Sequence, residues 1–212
     1  WSEEADLNTG RVEMGGTGSN SEALLVFGGN PGPGLYAITE NFDGTSWTEV
    51  ADLSTARQNL SSHIGSTTAA LAAGGHDASD RTASTEEWTT TPSALFQKTV
   101  EGQLFFNSTT NSFKETITDI PGATWASGPT IGTARYYLAG VGNPSNALIF
   151  GGTLYSPNAA AQTEEWNGSA WSEKNDLNTG SRGRGALGVY NAAVACGGGS
   201  GSPPGNIANT ET

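Results

Sequence analysis

Four copies of one segment constrain this chain more than any other feature, because a repeating chain must build one small unit several times. The copies are Trp1-Ser-Glu-Glu-Ala-Asp-Leu-Asn-Thr-Gly-Arg11, Trp47-Thr-Glu-Val-Ala-Asp-Leu-Ser-Thr-Ala-Arg57, Trp125-Ala-Ser-Gly-Pro-Thr-Ile-Gly-Thr-Ala-Arg135 and Trp171-Ser-Glu-Lys-Asn-Asp-Leu-Asn-Thr-Gly-Ser-Arg182. Each is followed by an apolar run closed by two glycines, at 23–29, 69–75, 147–152 and 192–198. A Thr-Glu element comes next: Thr39-Glu-Asn-Phe42, Thr85-Glu-Glu-Trp88, Thr163-Glu-Glu-Trp166 and Thr210-Glu-Thr212. From Trp1 the tryptophans step by 46, 78 and 46 residues; from Gly28 the first glycines of the pairs step by 46, 77 and 46. Two independent markers share one period, with one enlarged unit.

Each unit reads as four short strands. The runs before the glycine pairs are uninterrupted and apolar, the pattern of a strand buried on both faces. Leu25, Leu71 and Ile149 are therefore expected in the core. Asp43-Gly44 and Asn167-Gly168 are type I′ hairpin signals that join the third strand to a fourth beginning at the tryptophan. No stretch keeps a helical period for ten residues. Four strands recurring every ~40–50 residues are the unit of a β-propeller.

The order of apolar run, glycine pair, acidic and aromatic strand, tryptophan and Leu-x-x-x-Arg resembles the kelch repeat and its galactose-oxidase relatives, over residues 1–88 and 125–212. The wording of 163–180 and 39–57 resembles kelch-like arrays in structural proteins of marine tailed phages, and 101–114 is similar to a cassette carried by the same virion proteins. One departure is that family repeats often carry a tyrosine in the third strand, where Phe42, Trp88 and Trp166 stand nearby. The resemblance implies an all-β fold: one propeller domain over 1–212, with units 1–46, 47–88, 125–170 and 171–212.

The enlarged unit is expected to hold a degenerate fifth blade over 89–124, since 94–98, 103–106 and 112–117 alternate like strands and 107–112 supplies a turn. Two rivals stay open: a hairpin decorating four blades, and an arc of a larger ring. The chain stops in register with strand three and starts in register with strand four. A single-chain ring closed by joining them is the favoured arrangement, because it leaves no open edge. The start at Trp1 without Met suggests a chain trimmed or cut from something longer.

Charge narrows the function. Nine Lys and Arg against 21 Asp and Glu leave −12, which phosphate backbones and anionic lipids repel. Neither a nucleic-acid partner nor a membrane is expected, and no apolar run approaches the ~20 residues of a membrane span. One cysteine, Cys196, permits neither an intrachain disulfide nor a thiolate zinc site.

The recurring Arg11, Arg57, Arg135 and Arg182 project from equivalent places. Their first reading is as ties between neighbouring blades; their second is as a ring of donors for an anion or an acidic sugar. Trp1, Trp47, Trp125 and Trp171 read as packing between blades. Trp88 and Trp166 are the better candidates for stacking on a sugar, although packing is their first reading too. His63 and His76, with Cys196 in a buried-type run, make no copper-oxidase pattern. Asp77 and Asp80 beside His76 form only a weak calcium motif, and no Ser/His/Asp triad can be assigned. The expectation is a non-enzymatic binding or structural module without cofactor or metal, on a virion or extracellular, contacting a glycan or protein on one rim. The alternative is a secreted carbohydrate-binding or galactose-oxidase-like protein.

Overall fold

The computed structural model describes residues 3–90, 104–107, 112–115, 123–155, 158–201 and 205–212. Among them there is no helix, and every strand pairing within a sheet is antiparallel. The first sheet runs in chain order through β1 (Gly15–Asn20), β2 (Ala23–Phe27), β3 (Thr39–Phe42) and β4 (Trp47–Val50). The second begins with β5 (Ala69–Ala73) and β6 (Thr85–Thr90). A separate hairpin, β7 (Leu104–Asn107) and β8 (Ser112–Glu115), precedes its last strand, β9 (Ala123–Gly128).

The third sheet holds β10 (Ala139–Asn143) and β11 (Asn146–Phe150). It carries a small hairpin, β12 (Thr153–Tyr155) with β13 (Asn158–Ala159), and ends in β14 (Thr163–Trp166) and β15 (Trp171–Glu173). The fourth has β16 (Gly185–Val189) and β17 (Ala192–Cys196), then a hairpin of β18 (Gly199–Ser200) and β19 (Gly205–Asn206), and β20 (Thr210–Glu211).

The pairing of β6 with β9 corrects the expected fifth blade. Trp88 lies opposite Trp125 in that pair, as Phe42 lies opposite Trp47 and Trp166 opposite Trp171. Trp125 therefore belongs to the second sheet, whose last strand β9 follows the β7–β8 hairpin in the chain. A blade of its own would have to stand between two finished sheets. The expected strand at 94–98 lies outside the described residues.

The first three glycine-pair runs carry the core, with Leu25, Leu71 and Ile149 all 0% exposed, whereas in the fourth, β17, only Ala195 is buried. Alternate side chains of each run face opposite neighbours. Leu25 and Phe27 pack with Ala70, Ala72 and Trp88 of the second sheet, while Leu71 and Ala73 pack with Ala147, Ile149 and Trp166 of the third. The glycines permit the close approach between units. Gly28 and Gly74 have φ of +66° and +65°, and an added Cβ would sit 2.4 Å from the Arg57 carbonyl and 2.8 Å from that of Arg135. Gly29 and Gly75 donate their backbone N–H to those same carbonyls at 2.9 and 3.0 Å.

The Asp43-Gly44 and Asn167-Gly168 loops differ from a type I′ turn, which needs positive φ at two successive residues. Only the glycines, at +92° and +90°, are left-handed. The Asp43 carboxylate instead accepts the Thr45 and Ser46 amides at 2.9 and 2.8 Å, and Asn167 accepts those of Ser169 and Ala170 at 3.0 and 2.9 Å. The side chain takes over the turn.

Candidate functional site

The recurring arginines are consumed inside the protein. Arg57 reaches Glu86 at 2.9 Å and Arg135 reaches Glu164 at 2.9 Å, with both guanidinium groups fully buried; Arg11 and Glu40 repeat the pair. The other carboxylate oxygen of each glutamate caps the loop that carries the arginine, accepting the backbone N–H of Asn8, Ser54 and Gly132 at 2.8, 2.8 and 2.7 Å. Burial pulls the Arg57 and Arg135 guanidinium groups below the ordinary arginine range, and the carboxylates of Glu86 and Glu164 oppose it. The guanidinium groups are closed to solvent, and of their partners Glu164 borders a small cleft with Gly132 and Glu173.

The fourth member of the series is not Arg182. Arg184 binds Glu211 at 2.8 Å, and Glu211 accepts the Asn178 amide at 2.6 Å. Strict counting finds the discrepancy: Arg11, Arg57 and Arg135 each lie ten residues beyond their tryptophan, and ten beyond Trp171 is Ser181.

Trp88 and Trp166 are 1% and 0% exposed, so neither offers a ring face to a sugar. Their indole N–H groups donate to the carbonyls of Thr67 and Pro144, at 2.9 and 2.6 Å, and pin the preceding hairpin turn. Trp125 and Trp171 tie neighbouring sheets by donating to Thr39 Oγ1 and Thr85 Oγ1, at 3.0 and 3.1 Å. Trp47 donates to the Ala5 carbonyl at 3.0 Å, and Trp1 lies outside the described residues.

The other sequence candidates also have local partners. Asp77 accepts the amides of Ser79 and Asp80, which holds its carboxyl below the usual range, and Asp80 pairs with Arg81 at 2.9 Å. His63 is exposed, and His76 packs edge-on to Tyr136 with ring centres 5.7 Å apart. Cys196 is half-buried, its thiol 3.8 Å from the Gly185 carbonyl. Among the described residues no three His, Cys, Asp or Glu side chains gather as a metal site.

What the repeat leaves open is found two residues further along. Glu13, Asn59, Tyr137 and Gly183 occupy one position in the four units, and all are left-handed, with φ of 59°, 55°, 55° and 60°. Their backbones form a chain: Asn59 N–H donates to the Glu13 carbonyl at 2.8 Å, Tyr137 to Asn59 at 3.1 Å and Gly183 to Tyr137 at 2.9 Å. The side chains meet as well. Glu13 accepts from Asn59 Nδ2 and from the Tyr137 hydroxyl, both at 3.1 Å. Burial, then the adjacent Glu13 carboxylate, raises the Tyr137 phenol above its ordinary value. Non-glycine residues in this conformation cost about 1–3 kcal/mol each, a strain concentrated at functional sites.

Tyr137 also borders a cleft of about 650 Å³ with Arg182, Gly183, Gly199 and Asn206. Arg182 lies one residue before the left-handed position and bridges the backbone of Gly199. Among the residues whose side chains are described it is the only Lys or Arg without an ion pair. The cleft therefore offers a partly exposed cation, a phenol and amide groups.

Comparison with known proteins adds a likeness of fold. The solved structure of YjhT matches with a TM-score of 0.58 at 8% identity, over 92% of this chain and 60% of that one. This chain thus spans about three-fifths of the length of the protein it matches. No protein-family model matches it, and no curated protein matches it.

Proposed function

We propose that this chain is a non-enzymatic binding and structural module. In this reading it is a β-propeller whose four sheets are blades of the kelch-like plan. A phage particle carries it in a tail fibre or decoration, and its inner rim contacts a glycan or a protein partner. The hydrogen-bonded row Glu13–Asn59–Tyr137–Gly183 supports the propeller reading, since it links the same position of successive sheets along one line. The sequence wording shared with phage arrays supports the virion setting.

The observation that carries the binding site is Arg182. Every other Lys or Arg whose side chain is described in this −12 chain is paired with a carboxylate, so the Arg182 cleft is a local exception that attracts acidic sugars or carboxylate side chains. Arg presents five donors in a fixed fork suited to a carboxylate, and Tyr137 adds an aromatic edge. A glycan array that includes uronic and sialic acids, run with the native chain and Arg182→Gln, tests this. Acidic glycans retained by the native chain and lost with Arg182→Gln, at unchanged thermal stability, are expected. Binding that ignores Arg182, or the absence of any acidic ligand, overturns the assignment.

A further inference from the structure

The same capping contact recurs in every unit, and in one unit it borders an open cleft. Asn8, Ser54, Gly132 and Asn178 occupy one place in the repeat. Each donates its backbone N–H to the glutamate of the third strand: Glu40, Glu86, Glu164 and Glu211 in turn. In the first unit the Asn8 side chain crosses to the Trp47 carbonyl at 2.8 Å, and in the fourth the Asn178 side chain adds a bond to Glu211 at 3.1 Å. Gly132 has no side chain to place there. An added Cβ would stand 3.3 Å from Glu164 Oε2, so any side chain at this position would lie against that carboxylate. A cleft of about 260 Å³ is found here, bordered by Thr130, Gly132, Gln162, Glu164, Trp171 and Glu173.

The groups around this cleft accept more than they donate. Glu173 lies opposite Glu164 across the β14–β15 pair, and like charges in that relation repel. Arg135 neutralises Glu164, but Glu173 makes no ion pair among the described residues, and the adjacent Lys174 is held by Glu165 at 2.6 Å. The second sheet avoids the conflict by setting Ser127 opposite Glu86. The first repeats it at Glu40 and Glu49, with the Asn8 amide laid against the same strand. Gln162 brings a buried side-chain oxygen that has no donor among the described residues, a costly state for an acceptor. Trp171 is half-buried and has already given its indole N–H to Thr85 Oγ1, so it offers the cleft ring surface and no donor.

We propose that this cleft takes the side-chain ammonium of a lysine presented by a protein partner. An ammonium carries three donors, no acceptor and a positive charge, and so answers the Glu173 carboxylate and the Gln162 oxygen together. The alkyl stem of lysine covers apolar surface while its head stays in polar surroundings. Trp171 supplies that surface, and its ring attracts a cation. An anionic ligand would meet Glu164 and Glu173 and be repelled. The cleft shares no residue with the one beside Arg182 and has the opposite charge preference, so it is a second contact and not an extension of the first.

NMR titration of the isotope-labelled full chain with Nα-acetyl-lysine methylamide tests this. The Gly132 amide and Trp171 indole resonances should shift saturably, and acetylation of the probe's ε-amine, which removes the charge, should abolish the shifts. Gly132→Asn gives this unit the residue of the first and fourth, and no positive φ forbids it; it should close the cleft and abolish binding. Glu173→Gln, at an exposed position, should weaken binding roughly fivefold. Both variants should keep the native spectrum elsewhere. Arg182→Gln should leave amine binding unchanged, so failure of the acidic-glycan experiment does not touch this site. Equal binding of the acetylated probe overturns the proposal, as does the absence of any saturable shift. Amine binding that survives both Gly132→Asn and Glu173→Gln overturns it too. Glucosamine bound more tightly than the lysine probe overturns the assignment to a protein partner.

Discussion

Arg184 donates its Nε–H to Ser181 Oγ and its Nη2–H to Glu211, so a residue three places late completes the tie that Arg57 and Arg135 make directly. Ser181 holds the backbone place: its carbonyl accepts the Gly152 amide at 2.8 Å, as the Arg57 and Arg135 carbonyls accept those of Gly29 and Gly75. The guanidinium position is therefore kept although the residue that supplies it has moved.

A rescue experiment follows from that displacement. Removing one partner of a buried ion pair costs about 3–5 kcal/mol because the other charge stays buried and alone. Arg184→Ala should fall below that range, since the Glu211 side chain is 13% exposed whereas that of Glu86 is 2%. Adding Ser181→Arg to Arg184→Ala restores the arrangement of the other units and should recover most of the loss. Urea midpoints of the native, single and double variants measure it.

The glycine pair makes a sharper prediction. Gly74→Ala places a Cβ 2.6 Å from Leu138 Cδ2 and 2.8 Å from the Arg135 carbonyl, at a φ of +65°. Strain and clash act together, and a loss above ~1 kcal/mol is expected. Gly10 has nothing within 4 Å of an added Cβ and no positive φ, so Gly10→Ala should be neutral or stabilise by ~0.4–1 kcal/mol through the unfolded chain. Thermal melts of the two variants should move in opposite directions or differ by several degrees.

Much of this architecture is legible in the residues, and the illegible parts have physical causes. The glycine pairs and apolar runs announce buried strands because packing and left-handed turns admit few residue types. Trp88 and Trp166 read as possible sugar platforms because their type alone does not tell a hairpin pin from an open ring. The row Glu13–Asn59–Tyr137–Gly183 was hidden because only Asn59 and Gly183 are types that a left-handed position favours, while Glu13 and Tyr137 are not. The segment 89–124 has strand-like alternation, and composition does not say which strand pairs with β6. Trp125 decides it, through its register with Trp88.

Acid should loosen the loops that carboxylates organise. Backbone amide donors, those of Asp80 and Ser79 first, hold the Asp77 carboxyl below its ordinary range. Its stabilising contribution is present above the unfolded carboxylate value and is lost as pH falls through the lower folded one. Glu87 runs the other way, because burial raises it; its neutral form is favoured, and its charging opposes folding as pH rises through the unfolded value. Carboxyl NMR titration should show Asp77 titrating below Glu87 by more than the difference of their free values. Asp77→Ala should flatten the acid limb of the stability curve.

The tie between sheets can be weighed by a double-mutant cycle at Thr39 and Trp125. Thr39 is fully buried, and its hydroxyl accepts the Trp125 indole N–H across 86 residues of sequence at 3.0 Å. Thr39→Val keeps the shape but leaves the indole N–H without its acceptor, at a cost of about 1–3 kcal/mol. Trp125→Phe keeps a ring against Phe27 and Trp88 while removing the donor, with some loss of packing volume. Together the two changes remove both halves of the hydrogen bond, so no orphaned group remains. The double variant should therefore be more stable than the sum of the single losses predicts, by ~0.5–3 kcal/mol, the range for residues in contact. Strict additivity in urea unfolding would mean that the indole and the hydroxyl do not couple in solution, and that the Trp125 ring contributes to the contact between the first two sheets through packing alone.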